Sequence, residues 1–162
     1  MLNEYAINLA IEILKLTKSK EILIGFNSLN AFASVNHLHL HLYYLDHNLV
    51  IKQRIKNGIT YLRSLPIQNV KFANKIATNL WSLADNYYFP GFAIQLSDFN
   101  NESEFSSKLY MITNYLCINE IPHNCVLVKA SPLVACESNQ NLSNHLDTFR
   151  AVVWPRKSCY GK

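Results

Sequence analysis

Glycine and proline are scarce in this sequence, with 4 and 5 residues in a chain of 162. So few chain-breaking residues exclude a collagen-like or low-complexity protein. Charge is thin as well: 15 basic and 11 acidic residues make up 16% of the chain and leave a formal net charge of +4. No polybasic block stands out, so neither a nucleic-acid nor a membrane-surface partner is expected. No apolar run approaches the ~20 residues that span a bilayer. The opening Met1-Leu-Asn-Glu-Tyr5 has no basic n-region, and Glu4 and Glu12 interrupt its apolar residues, which is unlike a secretory signal. The four cysteines, Cys117, Cys125, Cys136 and Cys159, contain no CxxC pair. Zinc-ribbon and thioredoxin-like readings therefore fall away, and reduced thiols in the core of a cytoplasmic protein are expected. The sequons at Asn101 and Asn141 carry no weight without a signal peptide.

What is present is apolar. Hydrophobic residues make up 49% of the chain and aromatic residues 12%, enough to order a chain of this length as a single domain, 1–162. Ile7, Ala10, Ile11 and Leu14 follow helical spacing and predict an amphipathic helix over 3–19. Residues 21–26 read as a short apolar strand, and 27–33 as a loop. Strict alternation over 34–45 predicts a second strand, with Val35, His37, His39, His41 and Tyr43 on one face and the leucines turned into the core. Asp46 to Asn48 reads as a turn before a returning strand over 49–53, and no sustained period appears in 54–90. Further strands are expected at 92–97, 125–129 and 149–154. A second helix with Ser103 as N-cap would set Phe105, Leu109, Ile112 and Leu116 on one face. The Asn-rich stretch 137–147 reads as a loop. The fold class is α+β, with mostly antiparallel strands and flanking helices.

The informative segment runs from Asn36 to Tyr44, Asn-His-Leu-His-Leu-His-Leu-Tyr-Tyr. Residues i and i+2 of a strand point the same way, roughly 6.5–7 Å apart, so His37, His39 and His41 form a row. Three readings are open for such a row. It can be a solvated polar face. It can hold a metal, although His37 and His41 are too far apart to share one ion and a third ligand, His123 or His145, would have to come from elsewhere. Or it can act at phosphorus, where a neutral imidazole attacks a phosphoryl group and forms a covalent phosphoramidate.

His37-Leu-His39-Leu-His41-Leu42-Tyr43 resembles the histidine triad (HIT) motif. The wider stretch Gly25 to Leu45 resembles the active-site segment of the animal GDP-D-glucose phosphorylases, relatives of plant GDP-L-galactose phosphorylase. Two later blocks agree with that family, Tyr115 to Asn124 and Val153 to Gly161. The resemblance implies a HIT-like antiparallel sheet and phosphorolysis of GDP-D-glucose to GDP and glucose 1-phosphate. It makes His39 the nucleophile of a guanylyl-histidine intermediate, with His37 orienting the ring or the strand and His41 on the α-phosphate or the leaving group. It places Asn27 and Ser34 near the nucleotide's ribose and phosphates. The substrates are then a GDP-hexose and inorganic phosphate, with no cofactor and no metal.

No role transfers to His123, Asn124, Arg156 or Lys157, and Arg156 reads as a solvated strand-end charge. The family's chains are longer, so the resemblance also implies that this one is incomplete at the N-terminus, with an exposed sheet edge that invites a homodimer. The alternative is a shortened, non-catalytic domain that binds nucleotide or metal.

Overall fold

Asn3 opens the first helix, α1 (Glu4–Leu16): its side chain accepts the Ala6 amide at 2.9 Å, satisfying a donor that the first turn leaves unpaired. Thr17 closes the helix, its hydroxyl donating to the Leu14 carbonyl. The computed structural model describes residues 1–33, 35–44, 50–55, 58–63, 67–83, 90–135 and 147–157, with the backbone alone at 50–55, 58–63 and 69. The turn expected at 46–48 and most of the expected 137–147 loop lie outside these residues. The apolar stripe read from the sequence is the one buried: Ala6, Ile7, Ala10, Ile11 and Leu14 are all at or below 1% exposure. The second helix, α2 (Glu102–Ile118), is capped by Asn101 rather than Ser103, because the Asn101 side chain accepts the Glu104 amide at 2.9 Å. Phe105, Leu109 and Leu116 are buried on its inner face, together with Ser106 and Thr113, while Ile112 is half-buried.

The strands are β1 (Ile22–Asn27), β2 (Leu40–Tyr44), β3 (Val50–Ile55), β4 (Gly58–Arg63), β5 (Phe72–Ala77), β6 (Leu80–Ser82), β7 (Phe92–Gln95), β8 (His123–Ala130), β9 (Val134–Ala135) and β10 (Thr148–Pro155). Eight of them form one sheet in the order β2-β1-β8-β10-β7-β6-β5-β9, and β3 pairs with β4 as a separate hairpin. The sheet is antiparallel except for the β5–β9 pair, so it is mixed rather than wholly antiparallel. The class is α+β, as expected. The unpatterned stretch 54–90 holds most of β3–β4 and all of β5 and β6. These strands escape sequence reading because β5 is exposed at every position but Ala73, and β6 is only three residues long.

Side-chain alternation gives the sheet two differently covered faces. On one, Ile24 and Phe26 of β1, Cys125 and Leu127 of β8, and Ala151 and Val153 of β10 meet α1 and α2. On the other, Leu23, Val128, Ala130, Val152 and Ala93 meet Ile67, Val70, Trp81, Leu83 and Leu133. Polar side chains tie this second layer down. The Gln95 side chain accepts the Leu133 amide at 2.6 Å and donates back to its carbonyl. Arg150, fully buried, donates to the carbonyls of Ile67, at 2.7 Å, and Ser131. Burial pushes the Arg150 guanidinium down to about 10, still high enough to stay charged at neutral pH. No helix is long and apolar enough to cross a membrane among the described residues.

Phe105 is the largest apolar side chain fully buried on the helix side, wedged against Phe99 with ring centroids 5.7 Å apart. Truncating a buried phenylalanine removes its transfer free energy and leaves a cavity, about 3–5 kcal/mol in all. Phe105→Ala should therefore lower the urea midpoint by a large share of the stability of a domain this size, at an unchanged slope.

Candidate active site

The histidines lie at the edge of the sheet. β2 begins only at Leu40, so the expected strand over 34–45 is shorter than the alternation suggests, and His37 and His39 stand just before it. Its pairing with β1 sets Gly25 opposite His41, Leu23 opposite Tyr43 and Phe26 opposite Leu40. Because Leu23 belongs to the layer away from the helices and Phe26 to the helix layer, His41 and Tyr43 project from the face away from the helices. Gly25 lets Tyr43 lie close over the strand: a Cβ at Gly25 would stand 3.2 Å from the tyrosine ring.

The row itself is present. The rings of His37 and His39 are 6.0 Å apart, those of His39 and His41 4.4 Å apart and edge-on, and His41 stacks on Tyr43 at 5.6 Å. His37 and His39 are exposed and His41 is half-buried. The leucines behind them do not all enter the core. Leu40 packs against the helix-side core, but Leu38 and Leu42 are 39% and 57% exposed, because β2 is the last strand on its side and Leu38 precedes it. The ladder ends at Phe26–Leu40, one residue short of Asn27 and His39, so His39 leaves β2 beside the end of β1.

Asn27 is the last residue of β1, not a loop residue, and it sits opposite Asn124 of β8. Asn124 Nδ2 donates to Asn27 Oδ1 at 2.6 Å and to the Ala31 carbonyl at 2.9 Å, and Asn124 Oδ1 accepts from Arg156 Nη1 at 2.9 Å. Both ends of the Asn124 amide are thus used, which fixes its orientation. The Arg156 guanidinium also lies over the Phe32 ring, 5.1 Å from its centroid, a cation–π contact. It is therefore not a freely solvated charge: the strand-end reading gives way to a held side chain. The loop it covers is conformationally demanding, with Asn30 and Phe32 at φ of 62° and 65°, a region that non-glycine residues seldom occupy. Sequence reading left Asn124 and Arg156 without roles, because only the β1–β8–β10 register brings them onto the histidine face. Ser34 lies outside the described residues.

A cleft of about 650 Å³ opens past the end of β1, lined by Asn27, Ser28 and His37 and, from the helix side, by Phe26, Cys117 and Ile121; His39 and His41 do not line it. Behind it His123 is fully buried on the helix side of β8. Its Nδ1 bonds the Ile121 carbonyl at 3.0 Å, its main-chain N–H donates to the Ser28 hydroxyl at 2.8 Å, and Nε2 has no partner among the described residues. His123 therefore cannot complete a metal site with the exposed row, and His145 lies outside the described residues. Among the described residues no group of three metal-capable side chains comes together. The described thiols are free, Cys125 buried and pushed up to about 12, and Cys117 raised by partial burial.

Burial holds the His123 imidazole below its usual range. The unfolded chain then takes up a proton at this residue more readily than the folded one. Its contribution is full above about pH 6.5 and is lost as pH falls toward the lowered value. Urea midpoints measured from pH 7.5 down to 5 should decline across the acid half of that range, and His123→Asn should flatten the decline.

Residues 1–43 match the family model described as GDPGP1-like, N-terminal domain. The chain is 32% identical to the Danio rerio protein named GDP-D-glucose phosphorylase 1, over 99% of this chain and 41% of that protein. It is 30% identical to the Homo sapiens protein of the same name, over 96% of this chain and 36% of that one. The Caenorhabditis elegans protein of that name is 27% identical over 79% of this chain and 24% of its own length. The chain therefore spans about two fifths or less of these relatives. No solved structure matches it significantly. The resemblance first read from the histidine strand extends over nearly the whole chain.

Proposed function

We propose that this relative of the GDP-D-glucose phosphorylases carries the histidine strand of a GDP-hexose phosphorylase with a HIT-like sheet. The observation that carries the reading is the row His37–His39–His41, with rings 6.0 and 4.4 Å apart at the entry to β2, on the side of the sheet that also carries Asn27, Asn124 and Arg156. His39 is the exposed central ring with a histidine on each side. A ring nitrogen of His39 attacks the α-phosphorus of GDP-D-glucose. The P–N bond forms as the bond from that phosphorus to the bridging oxygen breaks, and glucose 1-phosphate leaves with the electron pair. An oxygen of inorganic phosphate then attacks the same phosphorus, the P–N bond breaks, and GDP departs with His39 regenerated.

A sugar phosphate is a good leaving group, so the site needs charge stabilisation more than a strong general acid. In this reading His41, edge-on to His39 at 4.4 Å, donates to an α-phosphate oxygen. His37 touches the nucleophile's ring from the other side and lines the cleft. The cleft's volume lies within the range of small-molecule sites, and a nucleoside held there would set its ribose and phosphates toward Asn27 and His37, which both line it.

Incubation of the 162-residue protein with GDP-D-glucose should give an acid-labile mass increase of one GMP, and His39→Asn should abolish it. An unmodified wild-type protein, or an adduct that survives in the variant, would refute the covalent mechanism.

A further inference from the structure

We infer that Arg156 forms the anion subsite of this reaction, holding the phosphate that leaves and the phosphate that attacks. The inference rests on the phosphorolysis reading above. Both half-reactions are displacements at one phosphorus, and in each the His39 nitrogen occupies one apical position. The departing glucose 1-phosphate and the arriving inorganic phosphate must therefore use the opposite position in turn. One group that recognises a phosphate there serves both steps.

Three observations assign that group to Arg156. The first is the face. Arg156 follows Trp154 by two residues, and Trp154 pairs with Asn124, which pairs with Asn27. Alternation puts all of them on the histidine side, and the Arg156–Asn124 hydrogen bond agrees. Three strand spacings separate β2 from β10, about 14 Å, and the Arg156 side chain reaches back across β8 to Asn124, which leaves room for a diphosphate between imidazole and guanidinium.

The second is availability. Of the two arginines whose side chains are described, Arg150 is fully buried, out of reach of a ligand, and gives both terminal nitrogens to main-chain carbonyls. Arg156 is exposed, gives one N–H to Asn124, and has no carboxylate partner among the described residues. Its remaining donors keep the planar fork that matches two phosphate oxygens.

The third is preorganisation. Phe32 supports the guanidinium on one side, and Asn124 fixes its edge. The side chain is thus held before an anion arrives, which reduces the ordering that binding requires. A purely structural duty, clamping the strained loop at Asn30–Phe32, would use the same two contacts but would leave phosphate binding indifferent to the residue.

The test separates the two. Inorganic phosphate, titrated against chloride at constant ionic strength, should raise the melting temperature of the wild-type protein. Arg156→Ala should shift the half-effective concentration at least tenfold, Arg156→Lys should recover part of it, and Lys157→Ala, on the neighbouring exposed residue, should leave it within twofold. In the covalent assay, discharge of the GMP adduct by phosphate should need correspondingly more phosphate in Arg156→Ala. A phosphate response unchanged in Arg156→Ala, or absent from the wild type, overturns the subsite. A response that depends on Arg156 in a protein forming no adduct supports the subsite and refutes the covalent mechanism instead.

Discussion

The register of β1 is the constraint on which the rest of the molecule depends. β1 pairs on one side with β2, Gly25 against His41, and on the other with β8, Gly25 against Val126. A slip of one residue would send every side chain of a strand to the opposite face. In β2 it would press His41 toward the helix layer and leave Leu40 outside. In β8 it would move Asn124 away from Asn27 and break the polar chain to Arg156. The register is fixed by burial on both faces at once, Leu23 on one and Ile24 and Phe26 on the other. A half-exposed strand would leave it much less certain.

Much of this was legible because the local signals were strong. The α1 stripe, the α2 face and the central strands follow periods that burial then honours. The histidine alternation by itself encodes the row and its direction. Its extent was misjudged, because alternation continues through His37 and Leu38 although no backbone ladder reaches them. Hydrogen bonding to β1, which the pattern does not encode, sets where β2 starts. Asn124 and Arg156 were invisible for a related reason. A lone Asn and a lone Arg, separated by 32 positions, become neighbours only through the pairing of β8 with β10.

The histidines show how one residue type takes opposite duties from its surroundings. His37 and His39 stand in solvent with their rings free to meet a ligand. His123 is sealed against Phe26, with ring centroids 6.2 Å apart, and spends one nitrogen on a main-chain carbonyl. Position decides between them: His37 and His39 precede β2, the last strand on its side among the described residues, whereas β8 runs through the middle of the sheet against α1.

Arg150 gives the two layers on the histidine side a common fate. Its charge is satisfied inside the protein only while the carbonyls of Ile67 and Ser131 are in place. Those carbonyls belong to two separate cover segments, and the arginine belongs to β10, near the centre of the sheet. Lifting either segment exposes a buried cation that has lost a ligand, a penalty of several kcal/mol unless water reaches it. Partial opening of the cover is therefore the unfavourable intermediate, and its two segments and the central strands breathe as one cooperative unit. A single guanidinium thus couples the cover beside the histidine row to the central strands of the sheet.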